Sequence, residues 1–184
     1  MKNIVLIRAK KESDWVSCQS ITHNLEQAYH QAPQLNVSAI IYYNHGGDQF
    51  EITNIVNQIL EESPDEIVFI DHRPHPLGVV RRLQEMAPAY APQLTFHIFG
   101  DFVLESPNWY NINNYLTHYP VHFICASRKQ QQLLDSFMNN DGNTSVIPFP
   151  VPKEVFTFDS KERNTVRKKL GLKEKRHRTG QSHE

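Results

Sequence analysis

Cysteine is scarce in this sequence. Cys18 and Cys125 are the only two, and they lie far apart in segments with periodic apolar residues. Cysteines in such positions are more often buried free thiols than a disulfide or a metal pair. The ten histidines are scattered, without the C-x-x-C or H-E-x-x-H spacing of zinc sites. We therefore predict no metal site. The one close pair of histidines that share a predicted loop is His72 and His75.

Glycine is absent from the segment that follows the first predicted strand. The apolar run Ile4–Ile7 leads directly into Arg8-Ala-Lys-Lys-Glu-Ser-Asp. A nicotinamide or flavin enzyme of the Rossmann type carries a G-x-G-x-x-G loop at this point, because glycine lets the backbone approach a pyrophosphate. The sequence therefore argues against a bound dinucleotide, and we predict no cofactor.

Long hydrophobic runs are also missing. No apolar segment approaches the roughly 20 residues needed to span a bilayer, and the N-terminal run is too short and wrongly flanked for a secretory signal. The interpretation that follows is a cytoplasmic protein.

Basic residues are concentrated near the C-terminus. Residues 161–178 hold nine of the 19 Lys and Arg residues together with two Glu, a local charge of +7 (9 − 2) in a chain of net charge −1. Such a segment can bind nucleic acid or an anionic membrane surface. It has no interleaved aromatics and no nucleic-acid motif, so no nucleic-acid partner is predicted. A solvated linker helix is the preferred interpretation, with peripheral membrane contact kept open.

Strand and helix signals alternate along most of the chain. The predicted strands are residues 4–7, 37–43, 67–70, 94–99, 121–125 and 145–147. Predicted helices cover residues 13–31 and 77–86, and two more begin at the capping patterns Asp48/Glu51 and Ser127/Gln130. Short apolar strands separated by helices are typical of a sheet covered on both faces. The predicted fold class is α/β, a Rossmann-like three-layer sandwich with a mainly parallel sheet.

Polar residues follow the third predicted strand. Ligands of open parallel sheets bind beyond the carboxyl ends of the strands, and there the chain reads Asp71-His72-Arg73. A carboxylate, an imidazole and a guanidinium at this position suit a polar ligand or sugar hydroxyls. The structural alternative is that Asp71 caps the turn and Arg73 pairs with it.

The fourth predicted strand carries a second candidate group. His97 lies near the strand end, followed by Gly100 and Asp101, which offer close backbone approach and a negative charge. A histidine among apolar residues is also often a hydrogen-bonded core residue. In the irregular segment 102–119, Trp109, Tyr110 and Tyr115 allow either sugar stacking or packing.

Several segments together resemble the N-terminal half of GT-B glycosyltransferases, in the glycogen-synthase-like group called family 4. The matching segments, in chain order, are Pro64–His72, Leu94–Asp101, Phe123–Ser127, Val146–Phe156 and Arg167–Leu172. The last two are similar to the family's "V-I-P-N-G-V-D-x-x-x-F" and "R-x-x-L-G-L" motifs. The order and spacing of the five make the joint resemblance, which covers more than half of the chain.

The resemblance implies an enzyme of the hexosyltransferase type that moves a sugar from a nucleotide-sugar co-substrate to a glycan or lipid-linked acceptor. It implies that His97 is catalytic and faces the donor sugar. It implies that the substrate-binding residues are Asp71, His72, Arg73, Gly100 and Asp101. GT-B enzymes generally need no metal.

The chain departs from the family pattern in three places. The glycine-rich loop after strand one is missing, Phe149-Pro150 replaces the Asn-Gly turn, and the E-x7-E motif of the donor domain is absent. The expected organisation is an acceptor-side domain over residues 1–158, an interdomain linker helix over 159–172 and a disordered tail over 173–184. Without a donor-binding domain, the chain is expected to be inactive alone.

Two other functions compete with this expectation. The first is a stand-alone Rossmann-like binding or regulatory module that has no catalysis. The second is a different Rossmann enzyme with a self-contained site, which the missing phosphate loop disfavours.

Overall fold

The computed structural model describes residues 1–10, 16–44, 48–70, 75–99, 109, 113–136, 138, 143–151 and 160–171. The chain divides into two compact units, Met1–Pro150 and Val151–Glu184.

The first unit alternates strands and helices, as the sequence predicts. Its elements are β1 (Lys2–Ala9), α1 (Val16–Gln31), β2 (Leu35–Tyr43), α2 (Gln49–Glu62), β3 (Glu66–Phe69), α3 (His75–Met86), β4 (Gln93–Ile98), α4 (Asn113–Leu116), β5 (Val121–Cys125), α5 (Arg128–Asp135) and β6 (Thr144–Val146). The six strands form one parallel sheet in the order β2-β1-β3-β4-β5-β6. The predicted fold class is confirmed: the protein has a Rossmann-like three-layer α/β sandwich.

The central strands are buried because helices cover both faces of the sheet. Residues 4–7 of β1 and all four residues of β3 are buried. Ile4 and Leu6 point to α1, where they pack with Leu25. Val5 and Ile7 point the other way, into the larger core formed with α2, α3, α4 and α5. Continuous apolar strands, rather than alternating ones, follow from this two-sided burial.

Helix α2 begins at the predicted cap, and its capping residues differ in one contact from the prediction. The Asp48 side chain accepts a hydrogen bond from the Glu51 amide at 2.8 Å, as expected. The Glu51 carboxylate does not return a bond to Asp48; it accepts from the backbone and side-chain nitrogens of Asn44 instead. Glu51 therefore ties the end of β2 to the first turn of α2.

The aromatic segment after β4 contributes packing. Trp109 is fully buried, with its ring centroid 5.1 Å from that of Phe96 and 5.9 Å from that of Phe123. Tyr115 is partly buried against the same core. Of the two interpretations of these aromatics, packing is therefore right for Trp109. Tyr110 lies outside the described residues.

The two cysteines are free thiols in different surroundings. Cys125 is fully buried on β5, whereas Cys18 of α1 is only partly buried. Burial, with a smaller contribution from Asp135, raises the pKa of Cys125 to about 11. That thiol is therefore protonated at neutral pH and unreactive.

The second unit contributes one described helix, α6 (Ser160–Lys169), none of whose described residues is buried. Gly171 follows it with a φ of +65°, the left-handed conformation that ends many helices. Across the described residues, no helix is both long and apolar enough to cross a membrane.

Candidate functional site

The strand order of the sheet predicts the edge at which a ligand would bind. Strands β2 and β3 lie on opposite sides of β1, so the strand order reverses between β1 and β3. In parallel sheets, a crevice opens at such a reversal, beyond the carboxyl ends of the strands. The described residues nearest that edge include Lys10, Asn44, Ile70 and Phe99.

His97 lies close to this edge, in β4, and its side chain points to the α1 face of the sheet. Leu94, Phe96 and Ile98 belong to the core on the opposite face, so the intervening His97 points away from it. The imidazole is 5% exposed. The sequence predicts its place near a strand end, and the structure adds that it is buried between the sheet and a helix.

Tyr29 holds the His97 imidazole in place. The Tyr29 hydroxyl lies 2.8 Å from Nε2 of His97, and the two rings meet edge to face with centroids 5.7 Å apart. Within the described part of the chain, Tyr29 is the one hydrogen-bond partner of this imidazole. The bond fixes the orientation of the ring and leaves Nδ1 for another partner.

Burial also fixes the protonation state of this pair. Desolvation, with a smaller contribution from His122, lowers the pKa of His97 to about 4. Burial, with a smaller contribution from Glu66, raises the pKa of Tyr29 well above its usual value. At neutral pH a neutral phenol therefore meets a neutral imidazole. The His97 imidazole can donate a hydrogen bond to a hydroxyl or accept one from it, but it carries no positive charge.

Of the predicted site residues, the structure describes His97 alone. Asp71, His72, Arg73, Gly100 and Asp101 all lie outside the described residues. They follow β3 and β4 along the chain, and these strands are neighbours in the sheet. Their convergence on His97 stays a prediction.

Tyr29 is a site residue that the sequence reasoning missed. Ile21, Leu25 and Tyr29 recur every four residues along α1, and all three pack against the sheet on the His97 face. That spacing marks one face of a helix. The spacing could have predicted that Tyr29 faces the sheet, but it does not indicate which strand Tyr29 contacts.

A second polar cluster lies on the same face at the amino ends of the strands. Lys2 Nζ is 2.8 Å from both Glu66 and Gln93, and the Thr95 hydroxyl donates to Glu66. Ligands are not expected at this edge of a parallel sheet. The cluster therefore joins β1, β3 and β4 as a structural network.

No cation site is formed by the residues that the structure describes. Among them, no group of three or more His, Cys, Asp and Glu is placed to hold a metal ion. His72, one of the close pair noted in the sequence, lies outside the described residues.

Comparison of the chain with models of protein families, with curated proteins and with solved structures gives no match. What the structure defines is therefore a class: a Rossmann-like α/β protein with a buried, tyrosine-bonded histidine near the carboxyl edge of its sheet.

Proposed function

We propose that this chain is the acceptor-side domain of a GT-B glycosyltransferase. In the reaction, the bond between the anomeric carbon of the sugar and the nucleoside diphosphate breaks, and the acceptor hydroxyl forms the new glycosidic bond. The nucleotide sugar is held by a second, donor-binding domain, and the sheet domain described above positions the acceptor. The substrate is a glycan or a lipid-linked glycan.

The observation that carries this proposal is the position and state of His97. Its imidazole lies near the carboxyl end of β4, is oriented by Tyr29 and is neutral at physiological pH. A neutral imidazole held in one orientation suits hydrogen bonding to a sugar hydroxyl, with Nδ1 as the contacting atom. The five ordered motifs in the sequence supply the second line of support.

The role proposed for His97 is substrate binding at the reacting sugar rather than proton transfer. A general acid or base works best with a pKa near the working pH, and the pKa of His97 is about 4. The residues after β3 and β4, including Asp71 and Asp101, are the proposed contacts to the rest of the acceptor and donor.

The test is reconstitution with a donor-binding domain. The isolated chain is expected to bind a glycan acceptor and to release no nucleoside diphosphate from a nucleotide sugar. Joined to a donor-binding domain of the same family, it is expected to catalyse transfer, and His97→Ala is expected to lower kcat about 100-fold. His23→Ala, at an exposed histidine of α1, is the matched control and should leave the rate unchanged.

Three results would contradict this function. One is sugar transfer by the isolated chain at a normal enzymatic rate. Another is tight binding of NAD(P) or a flavin, which would revive a self-contained Rossmann enzyme. The third is a stable protein partner together with no affinity for glycans, which would favour a regulatory module.

A further inference from the structure

A groove of about 750 Å³ opens beside the carboxyl ends of β1 and β2. Its lining includes Lys10, Tyr42, Asp48, Phe50, Glu51 and Asn54, which come from the two strand ends and the first turns of α2. The groove therefore lies on the edge of the sheet where ligands of this fold class bind.

Two aromatic rings of the groove are exposed. Phe50 is 87% exposed and Tyr42 is 48% exposed. Packing does not account for Phe50, because the buried face of α2 is formed by Ile55, Val56 and Ile59. Tyr42 is braced by Arg8, whose guanidinium lies 5.8 Å from the ring centroid and is paired with Glu26. The groove thus offers apolar, planar surface to a ligand.

The carboxylates of the groove are held in place by the protein. One oxygen of Glu51 accepts from Asn44, with the side-chain amide at 2.8 Å, and one oxygen of Asp48 accepts from the Glu51 amide. The second oxygen of each carboxylate has no hydrogen bond to any described residue. Asp48 and Glu51 line the groove together with the aromatic residues and Asn54, so two oriented carboxylate oxygens remain available to a ligand there.

The charge of the groove selects between kinds of ligand. Among the described residues that line the groove, Asp48 and Glu51 against Lys10 leave a net charge of −1 (1 − 2). Like charges repel at close range, so a phosphate or a carboxylate is disfavoured. A neutral sugar ring fits both features, because its hydroxyls donate to carboxylates while its C–H face lies against an aromatic ring.

We propose that this groove binds a neutral glycan. The groove would then hold an uncharged part of the acceptor and would exclude uronic acids and the phosphates of lipid carriers. Naming the ligand as the acceptor rests on the proposed function; the binding itself follows from the groove.

The test measures the binding of neutral and anionic oligosaccharides to the full chain by isothermal titration calorimetry. The probes are maltotetraose, cellotetraose and chitotetraose as neutral glycans, with tetragalacturonate as the anionic one. At least one neutral probe is expected to bind, and tetragalacturonate is expected to bind measurably more weakly than that probe. Phe50→Ala is expected to weaken that binding about tenfold, through loss of ring stacking. Ile147→Ala, which removes an apolar side chain of 51% exposure outside the groove, should leave the Kd unchanged.

A charge variant distinguishes specific recognition from a general loss of structure. Glu51→Gln keeps an oxygen that can accept from Asn44 but removes one negative charge. The variant should bind the neutral glycan only a few-fold more weakly than the wild type does. The ratio of its affinity for the neutral glycan to its affinity for tetragalacturonate should be smaller than in the wild type. A merely structural role of Glu51 would leave the ratio of the two affinities unchanged.

Several outcomes would overturn the groove as a glycan site. They are no binding of any neutral probe, a preference for tetragalacturonate, equal affinity of wild type and Phe50→Ala, or a dimer in sedimentation that Phe50→Ala abolishes. If transfer by the reconstituted enzyme persists unchanged in Phe50→Ala, the groove is not the acceptor site, while the proposed function stands. If the neutral glycan binds but no donor domain yields transfer, the groove remains a glycan site and the proposed function fails.

Discussion

Burial sets the chemistry of His97. An unpaired imidazole inside a protein is costly, because it loses its hydrogen bonds to water. The Tyr29 hydroxyl offsets part of this cost at 2.8 Å from Nε2. Since Tyr29 belongs to α1 and His97 to β4, the same bond also joins a helix to the sheet.

Replacing Tyr29 by Phe removes the hydroxyl and keeps the ring. We expect Tyr29→Phe to lower the free energy of unfolding by about 1–2 kcal/mol, because it leaves Nε2 of His97 buried without its partner. Tyr42→Phe is the matched control: Tyr42 is 48% exposed, and a change within about 0.5 kcal/mol is expected. Urea unfolding at pH 7 measures both. Equal stability of the two variants would mean that water replaces the Tyr29 hydroxyl.

Among the elements, helix α2 ends in a conformation that its sequence does not favour. Ser63 has a φ of 44°, in the left-handed region, and its amide bonds the Ile59 carbonyl at 2.9 Å. Side chains other than glycine cost about 1–2 kcal/mol there, whereas glycine loses about 0.5–1 kcal/mol through the entropy of the unfolded chain. Ser63→Gly should therefore stabilise the protein by about 0.5 kcal/mol, and Ser63→Val should destabilise it by about 1 kcal/mol. Thermal unfolding of both variants checks the signs; a loss of stability in Ser63→Gly would show that the serine hydroxyl bond to Leu60 outweighs the strain.

Helices α2 and α3 approach each other at Gly78. A Cβ at that position would lie 2.7 Å from Cδ1 of Ile52. Alanine gains about 1 kcal/mol of helix propensity but forces the Ile52 side chain from its position, at about 0.5–1.5 kcal/mol. We expect Gly78→Ala to be within about 1 kcal/mol of neutral, and Gly78→Leu to cost about 1–3 kcal/mol.

A double-mutant cycle tests this explanation of Gly78. Ile52→Val removes Cδ1, so Gly78→Ala should be more stabilising by about 1 kcal/mol in that background than in the wild type. Additive free energies would show that Ile52 does not limit the approach of the two helices.

The order and type of most elements could be predicted from periodicity, because each depends on residues close in sequence. The exception is α4, which lies in the segment 102–119 that the sequence predicts to be irregular. The strand prediction 121–125 coincides with β5, and the others differ from the structure by one or two residues at one or both ends. Contacts between distant elements could not be predicted. The sequence places Trp109 near a possible sugar site, but only the packed sheet shows that Phe96 and Phe123 enclose it. The Tyr29–His97 bond, across 68 positions, belongs to the same class.

In the whole molecule, polar groups on the α1 face of the sheet are sorted by edge. At the amino ends, Lys2 and Thr95 both bond Glu66, which leaves little for a ligand. Nearer the carboxyl ends, His97 is bonded through one nitrogen alone within the described residues. This asymmetry separates groups that hold the strands together from a group that remains able to bind, and it agrees with the rule that parallel sheets bind ligands at their carboxyl edge.

The stability of the whole fold should depend on pH through His97. Its pKa is about 4 in the folded protein, lowered from 6.5 chiefly by burial, so the unfolded chain binds a proton there more readily than the native state does. The neutral imidazole is compatible with folding above pH 6.5, and stability is lost as the pH falls from 6.5 towards 4. A shift of this size corresponds to about 3 kcal/mol when complete.

Comparison with His97→Gln isolates this contribution, because the titration of the other groups is shared. The unfolding free energy of the wild type minus that of the variant should fall by about 2 kcal/mol as the pH is lowered from 7 to 4.5. Urea unfolding at both pH values measures that change, and NMR titration of the His97 Cε1 proton reports the pKa directly. A difference independent of pH would mean that His97 titrates near 6.5. The imidazole would then be accessible to solvent, and the neutral, Tyr29-oriented histidine required by the proposed function would be lost with it.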